Sequence, residues 1–137
     1  MKYLLDTNIC IYLLKDSSPA LTKRIFSQNP EDMAVSAITM YELESGAAKS
    51  RWSERTRQRL AMFLAPFHVL PFTSEDAAFA GQIRGFLEKK GTPIGPYDLL
   101  IAAQGYARGL TVLTHNVKEF SRVPELKVED WTLSQEE

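Results

Sequence analysis

The sequence predicts an α/β fold in which a mostly parallel sheet of four to five strands carries helices on both faces. Three observations lead there. Short apolar runs, too short for helices, recur at 2–5, 33–36, 67–72 and 110–113. Stretches with apolar residues at helical spacing follow them. Strands that alternate with helices favour parallel pairing.

Each element has its own justification. Lys2 to Leu5 reads as a buried strand. Ile9, Ile11, Tyr12, Leu13 and Leu14 then open a helix that ends near Asp16-Ser17-Ser18-Pro19. A second helix runs from Pro19, a good first-turn residue, to about Gln28. Asn29-Pro30-Glu31-Asp32 is a turn. Met33 to Ser36 is a second strand. A helix follows from about Thr39, where Thr39 and Glu42 have the form of a capping box. Met40, Leu43 and Ala47 fall together as its core stripe, and Glu42 projects from another face between Thr39 and Gly46.

Residues 49–59 carry five basic side chains against one acid, a basic helix that turns into the core at Leu60 to Leu64. Phe67 to Phe72 is a third strand ended by Pro71. Ser74-Glu75-Asp76 opens a long helix with Phe79, Ile83, Phe86 and Leu87 on one side, stopped at Lys89-Lys90-Gly91. Thr92 to Pro96 is a rigid connector. Tyr97 to Arg108 is apolar nearly all round and closes at Gly109. Leu110 to Leu113 is a fourth strand, Val117 to Phe120 a helical turn, and Leu126 to Val128 a last short strand before a polar tail.

Composition bounds the chemistry. At 137 residues the chain reads as one domain, residues 1–137, large enough to bury a core without staples. A single Cys10 excludes a disulfide framework and a cysteine zinc site. Two histidines argue against a multi-histidine metal centre. No apolar run approaches the ~18 residues of a membrane span, and the N-terminus lacks a signal peptide, so a cytoplasmic protein is expected.

In a parallel sheet the C-terminal strand ends share one edge, where ligands bind. Asp6-Thr7-Asn8 follows the first strand there, and Thr114-His115-Asn116 follows the fourth. Asp98, in the first turn of its helix, and Glu42 reach the same edge. Each has a structural reading. Asp6, Thr7 and Asn8 are helix-capping residues, Glu42 is the return arm of a capping box, Asp98 suits a helix dipole, and Thr114 and Asn116 are turn formers. Together they point elsewhere. Three carboxylates at one edge raise one another's pKa unless a cation lies between them. Oxygen ligands without His or Cys suit Mg²⁺ or Mn²⁺, and such an ion pairs with substrate phosphate. The residues thus read as a site for metal-assisted hydrolysis of a phosphodiester.

With these positions in hand, the sequence resembles the PIN-domain ribonucleases, and most closely the VapC toxins of type II toxin–antitoxin pairs. The resemblance rests on Leu4-Leu5-Asp6-Thr7-Asn8, Tyr41-Glu42-Leu43-Glu44-Ser45-Gly46, residues 93–103 around Pro96-Tyr97-Asp98, residues 113–120 around Thr114-His115-Asn116, and Glu129-Asp130-Trp131. These run in the family's order along nearly the whole chain. The resemblance implies a three-layer PIN-like fold and a Mg²⁺- or Mn²⁺-dependent endoribonuclease that inhibits translation. Its implied metal ligands are Asp6, Glu42 and Asp98, with Thr7, Asn8, Thr114 and Asn116 supporting the site. Many members carry a fourth acid at the position of Asn116. Here it is an amide, and Glu119 is the obvious substitute or a solvated surface acid. The family pattern favours Glu42 over Glu44. Similar toxins act on tRNA, several on the initiator anticodon region. They are inhibited by a cognate VapB-type antitoxin, and they dimerise.

A nuclease with a net charge of −1 needs basic residues to approach phosphate. Lys49, Arg51, Arg55, Arg57 and Arg59 line one possible approach, with Trp52 as a stacking ring; Arg51, Arg55 and Arg57 are the RNA-binding candidates. The competing reading is a solvated helix with Trp52 packed inward, or a dimer or antitoxin interface. His115 is either an exposed strand-end residue or a substrate contact. A catalytically silent RNA- or protein-binding module, suggested by Asn116, is the alternative function. A phosphoacceptor domain fits less well. The receiver type lacks its adjacent acids here, and the haloacid-dehalogenase type wants Asp in place of Asn8.

Overall fold

The computed structural model describes residues 1–133; the end of the polar tail, 134–137, lies outside the described residues. Five strands form one sheet: β1 (Tyr3–Leu5), β2 (Met33–Ser36), β3 (His68–Leu70), β4 (Thr111–Leu113) and β5 (Val128–Glu129). Their order is β3-β2-β1-β4-β5, and every neighbouring pair is parallel. Seven α-helices connect and cover them among the described residues: α1 (Thr7–Lys15), α2 (Pro19–Phe26), α3 (Ala37–Lys49), α4 (Ser53–Leu64), α5 (Ser74–Lys89), α6 (Pro96–Arg108) and α7 (Val117–Phe120).

Alternation along the strands explains the three layers. Leu5, Met33, Val35 and Leu113 face one core, packed with Ile9, Leu13, Leu21, Ile25, Leu43, Ala47, Leu60 and Leu64 from α1 to α4. Leu4, Ala34, Val112 and Leu70 face the other, with Leu87, Leu99, Ile101, Ala102 and Phe120 from α5 to α7. On α3, Ile38 packs with the second core, while Leu43 and Ala47 belong to the first. This helix therefore straddles the C-terminal edge of the sheet and touches α1, α4 and α6. Beyond β3, Asp76 and Thr73 form the capping box of α5, and Asp76 also takes a 2.9 Å contact from Arg108.

Several local expectations are corrected. The helix after β2 begins at Ala37, and Ser36 caps it through the Ile38 amide. Thr39 is buried inside that helix, so Thr39 and Glu42 are not a capping box. Met40 is exposed rather than part of the core stripe, because α3 turns Thr39 inward against Thr7 instead. The basic stretch is not one helix: α3 stops at Lys49 and α4 starts at Ser53. At that break Trp52 is 62% exposed and carries the Arg51 guanidinium 5.3 Å from its ring, so it is not packed inward. Phe86 also faces solvent, since α5 buries a narrower stripe through Ala80 and Leu87. Strand β3 is confined to three residues, as Pro71 cannot donate to the ladder.

Candidate active site

Register builds the site. Leu5 pairs with Val35 on one side and Leu113 on the other, and Leu113 pairs with Glu129. One residue further, Ser36, Asp6, Thr114 and Asp130 therefore stand side by side along the C-terminal edge. The Asp6 amide still donates to the Leu113 carbonyl, and the Thr114 amide to the Glu129 carbonyl. The backbone is thus held rigidly under these side chains.

Asp6 is itself the N-cap of α1: its Oδ1 accepts from the Ile9 amide at 2.8 Å. Of the three capping candidates Asp6, Thr7 and Asn8, it is Asp6 that caps the helix. A carboxylate has two oxygens, so one can cap while the other faces the cleft. Burial is the main reason that the Asp6 pKa is pushed from 3.8 up to about 6, aided by the charges of Glu42 and Asp130 and opposed by hydrogen bonds from Thr114 and Ile9.

Thr7, freed from capping, turns to α3. Its hydroxyl lies 2.6 Å from Glu42 Oε1 and 3.1 Å from the Thr39 hydroxyl. A carboxylate accepts only, so the Thr7 hydroxyl donates to Glu42, its shorter contact, with the Thr39 oxygen as the second, longer acceptor. Asn8 is exposed in the first turn of α1, and the described residues include no hydrogen bond from it to Asp6 or Glu42.

Asp98 sits in the first turn of α6, half-buried, behind Gly95, which provides no side-chain cap. Its pKa also rises to about 6, through burial first and then the charges of Asp6, Glu119 and Glu42. Glu119 is not a solvated surface acid. Its Oε1 accepts from the Gly95 amide at 2.7 Å and its Oε2 from Asn116 Nδ2 at 2.7 Å. Asn116 thereby orients the acid that stands three residues on, while its own amide donates to Thr114 Oγ1 at 2.9 Å.

Two features escaped the sequence reading. His115 Nδ1 is held by Asp130 Oδ2 at 3.1 Å and Thr132 Oγ1 at 3.0 Å, and its ring meets Tyr12 edge-on. Asp130 stays ionised below the usual carboxylate range: hydrogen bonds from Thr132 and His115 outweigh the upward push of burial. On the other side, Tyr41 and Tyr97 meet across α3 and α6. The only sequence signal for that pair was position, since each tyrosine immediately precedes an acid.

The basic candidates separate. Arg51, Arg55 and Arg57 are exposed on the α3–α4 turn and α4, and among the described residues none bonds to the acids. Arg59 instead reaches the Leu14 carbonyl at 3.1 Å and, with Lys15 and Gly46, lines a cleft of about 420 Å³ that opens beside Glu42. A larger apolar cavity of about 470 Å³ lies between α5 and α6, lined by Ala80, Leu87 and Leu99, and holds none of the site acids.

The acids fit a hard divalent cation in donor chemistry: all are oxygens, and two are held up to about 6 by burial and mutual charge that a cation would relieve. Among the described residues no three acidic, imidazole or thiol side chains already converge tightly enough to grip an ion. Glu42 and Glu119 are drawn aside by Thr7 and by Gly95 and Asn116. Mg²⁺ needs only one or two direct carboxylates because it keeps several waters.

A parallel sheet with acids gathered at its C-terminal edge defines a class of fold, and comparison gives the class its name. The PIN domain model matches residues 3–126, and the chain belongs to the PIN-domain family. Within the family it falls among the VapC proteins. It is 42% identical to the tRNA(fMet)-specific endonuclease VapC of Salmonella typhimurium, over 96% of this chain and 98% of that protein. The protein of the same name from Shigella flexneri is 40% identical, over 96% and 99%. Ribonuclease VapC2 of Rickettsia felis is 36% identical, over 96% and 98%. A chain of the DNA-bound Salmonella typhimurium VapBC crystal structure superposes with a TM-score of 0.91 at 42% identity, covering 96% of this chain and 98% of that one. The Rickettsia felis VapBC2 complex with a promoter DNA fragment gives 0.89 at 35% identity, covering 96% and 99%.

Proposed function

We propose that this chain is the toxin of a type II toxin–antitoxin pair: an endoribonuclease, dependent on Mg²⁺ or Mn²⁺, that hydrolyses phosphodiester bonds of tRNA and so inhibits translation. The observation that carries the reading is the pair of carboxyls, Asp6 and Asp98, held at about 6 on one sheet edge with Glu42 and Glu119 beside them. A folded protein keeps such mutual repulsion where function requires it. The names of the relatives, tRNA(fMet)-specific endonuclease and ribonuclease, support RNA as substrate and initiator tRNA as target. The solved VapBC complexes support a VapB-type antitoxin as partner in a toxin–antitoxin hetero-oligomer; a homodimer is part of the same proposal. No described helix is long and apolar enough to cross a membrane. We place the activity in the cytoplasm, where tRNA is.

Asp6, Asp98 and Glu42 would hold the ion, with Glu119 as the fourth acid. When bound, it would acidify an attacking water and neutralise charge on the phosphoryl oxygens. Thr7 fixes the Glu42 carboxylate. Thr114 fixes Asp6 and receives the Asn116 amide. Asn116 and Gly95 fix Glu119. Rigid sheet-end backbone under Asp6 and Thr114 limits how far these groups drift. The catalytically silent alternative drew on the amide at Asn116, and Glu119 supplies the acid that the amide lacks.

Sequencing the 5′ ends of cellular RNA after brief expression tests the target. Cleavage within a tRNA anticodon loop is expected. Cleavage confined to messenger RNA would overturn the tRNA assignment.

A further inference from the structure

Beside the acids stands an aromatic pair that none of the roles above uses. Tyr41 on α3 and Tyr97 on α6 have ring centroids 5.7 Å apart, tilted by 58°, with hydroxyls 3.4 Å apart. Both are open to solvent, Tyr41 at 56% and Tyr97 at 42%. Each precedes a site acid, Glu42 or Asp98. Trp52, also exposed, lies beyond the end of α3, more than two turns from Glu42.

Two large rings paired in water beside the site acids offer a surface to a flat ligand. The two rings meet at a tilt, and much of the Tyr41 ring stays open to solvent. An unpaired nucleobase suits that surface: flat, with polar edges, and delivered by the same strand whose phosphate must reach the acids. Resting on the nuclease reading above, we propose that Tyr41, backed by Tyr97, is a base-stacking subsite that holds an unpaired nucleobase of the RNA next to the scissile phosphate. The subsite selects single-stranded loops, since a base inside a helix cannot leave its stack to reach the ring. It contributes to substrate binding and not to the chemical step.

The test uses the full chain and short single-stranded oligoribonucleotides with 2-aminopurine placed in turn at each position flanking the cleaved bond. Fluorescence is read in EDTA at saturating protein, and cleavage in Mg²⁺. Wild type and Tyr41→Phe are expected to quench the probe at one flanking position. Tyr41→Leu is expected to lose that quenching and to raise KM about tenfold with kcat little changed, the scale of one base–aromatic stack. The proposal is overturned if Tyr41→Leu keeps both quenching and KM. It is equally overturned if Tyr41→Phe behaves as Tyr41→Leu, which would make the hydroxyl contact to Tyr97 a strut, or if Tyr41→Leu changes the sedimentation of the protein, which would make the patch an interface. Failure of wild-type protein to cleave any RNA would overturn the nuclease reading instead, while quenching in EDTA still decides the subsite.

Discussion

The Thr7 hydroxyl lies 2.6 Å from a carboxylate oxygen of Glu42, on a different helix and thirty-five residues away. That contact ties α1 to α3 at the sheet edge. It also gives the residue after Asp6 a role that needs a hydroxyl donor. Thr7→Val keeps the shape of the side chain and removes the donor. The expected result is a loss of about 10- to 100-fold in activity or metal affinity, the usual effect of losing a group that orients a ligand. Thr7→Ser should retain most of it. Steady-state cleavage and metal titration of the three proteins measure this.

Asp6 should be a group that function requires and stability resents. A carboxyl whose folded-state pKa lies above its unfolded value binds its proton more tightly when folded. Its stabilising protonation is fully present below about 3.8 and is lost as pH rises through about 6. At neutral pH the cost is on the order of 3 kcal/mol. In EDTA, thermal melting should therefore shift upward as pH falls from about 7.5 to 5.5. Asp6→Asn retains an oxygen for the Ile9 amide. It should melt higher than wild type in EDTA at pH 7.5 and flatten that pH dependence, while abolishing cleavage. Equal melting temperatures in EDTA would contradict the burial argument.

Glu119 distinguishes ligand from clamp. It holds the Gly95 amide and the Asn116 side chain together, so Glu119→Ala should release the connector before α6. Hydrogen exchange at Gly95 should rise at least tenfold, and activity should fall because Asp98 stands three residues further on. Protection at Gly95 unchanged in the variant would show that the bond contributes nothing to order.

Gly105 tests the packing of α6 on the sheet. A Cβ there would lie 2.7 Å from Val112 Cγ2, with Leu126 and Leu4 at 3.6 Å. Gly105→Ala should cost about 1–3 kcal/mol by overpacking, despite the better helix propensity of alanine. Denaturant unfolding measures it, and the site acids should be unaffected.

What the sequence revealed and what it hid follow from the range of the interactions. The strand–helix alternation and the edge position of Asp6, Glu42, Asp98 and Thr114 were legible because they depend on short apolar runs and chain order. The capping assignments failed where a tertiary partner outbid the local one. Thr39 looks like a cap until Thr7 claims it, and Asp6 can both cap and face the cleft. Glu119 was legible as a candidate, yet its bond to Gly95 spans twenty-four residues and has no local signature. Tyr41 and Tyr97 are fifty-six residues apart, and only the crossing of α3 and α6 makes them a pair.

We propose that the edge carboxylates make this chain a metal-dependent nuclease. The most direct measurement is cleavage of purified initiator tRNA by wild type and Asp98→Asn across a Mg²⁺ titration, with an EDTA control. Mg²⁺-dependent cleavage by wild type, none in EDTA, and a loss of at least about a thousandfold in Asp98→Asn with its melting cooperativity intact are expected. Cleavage that persists in EDTA, or an Asp98→Asn protein that cuts at the wild-type rate, would contradict the proposal.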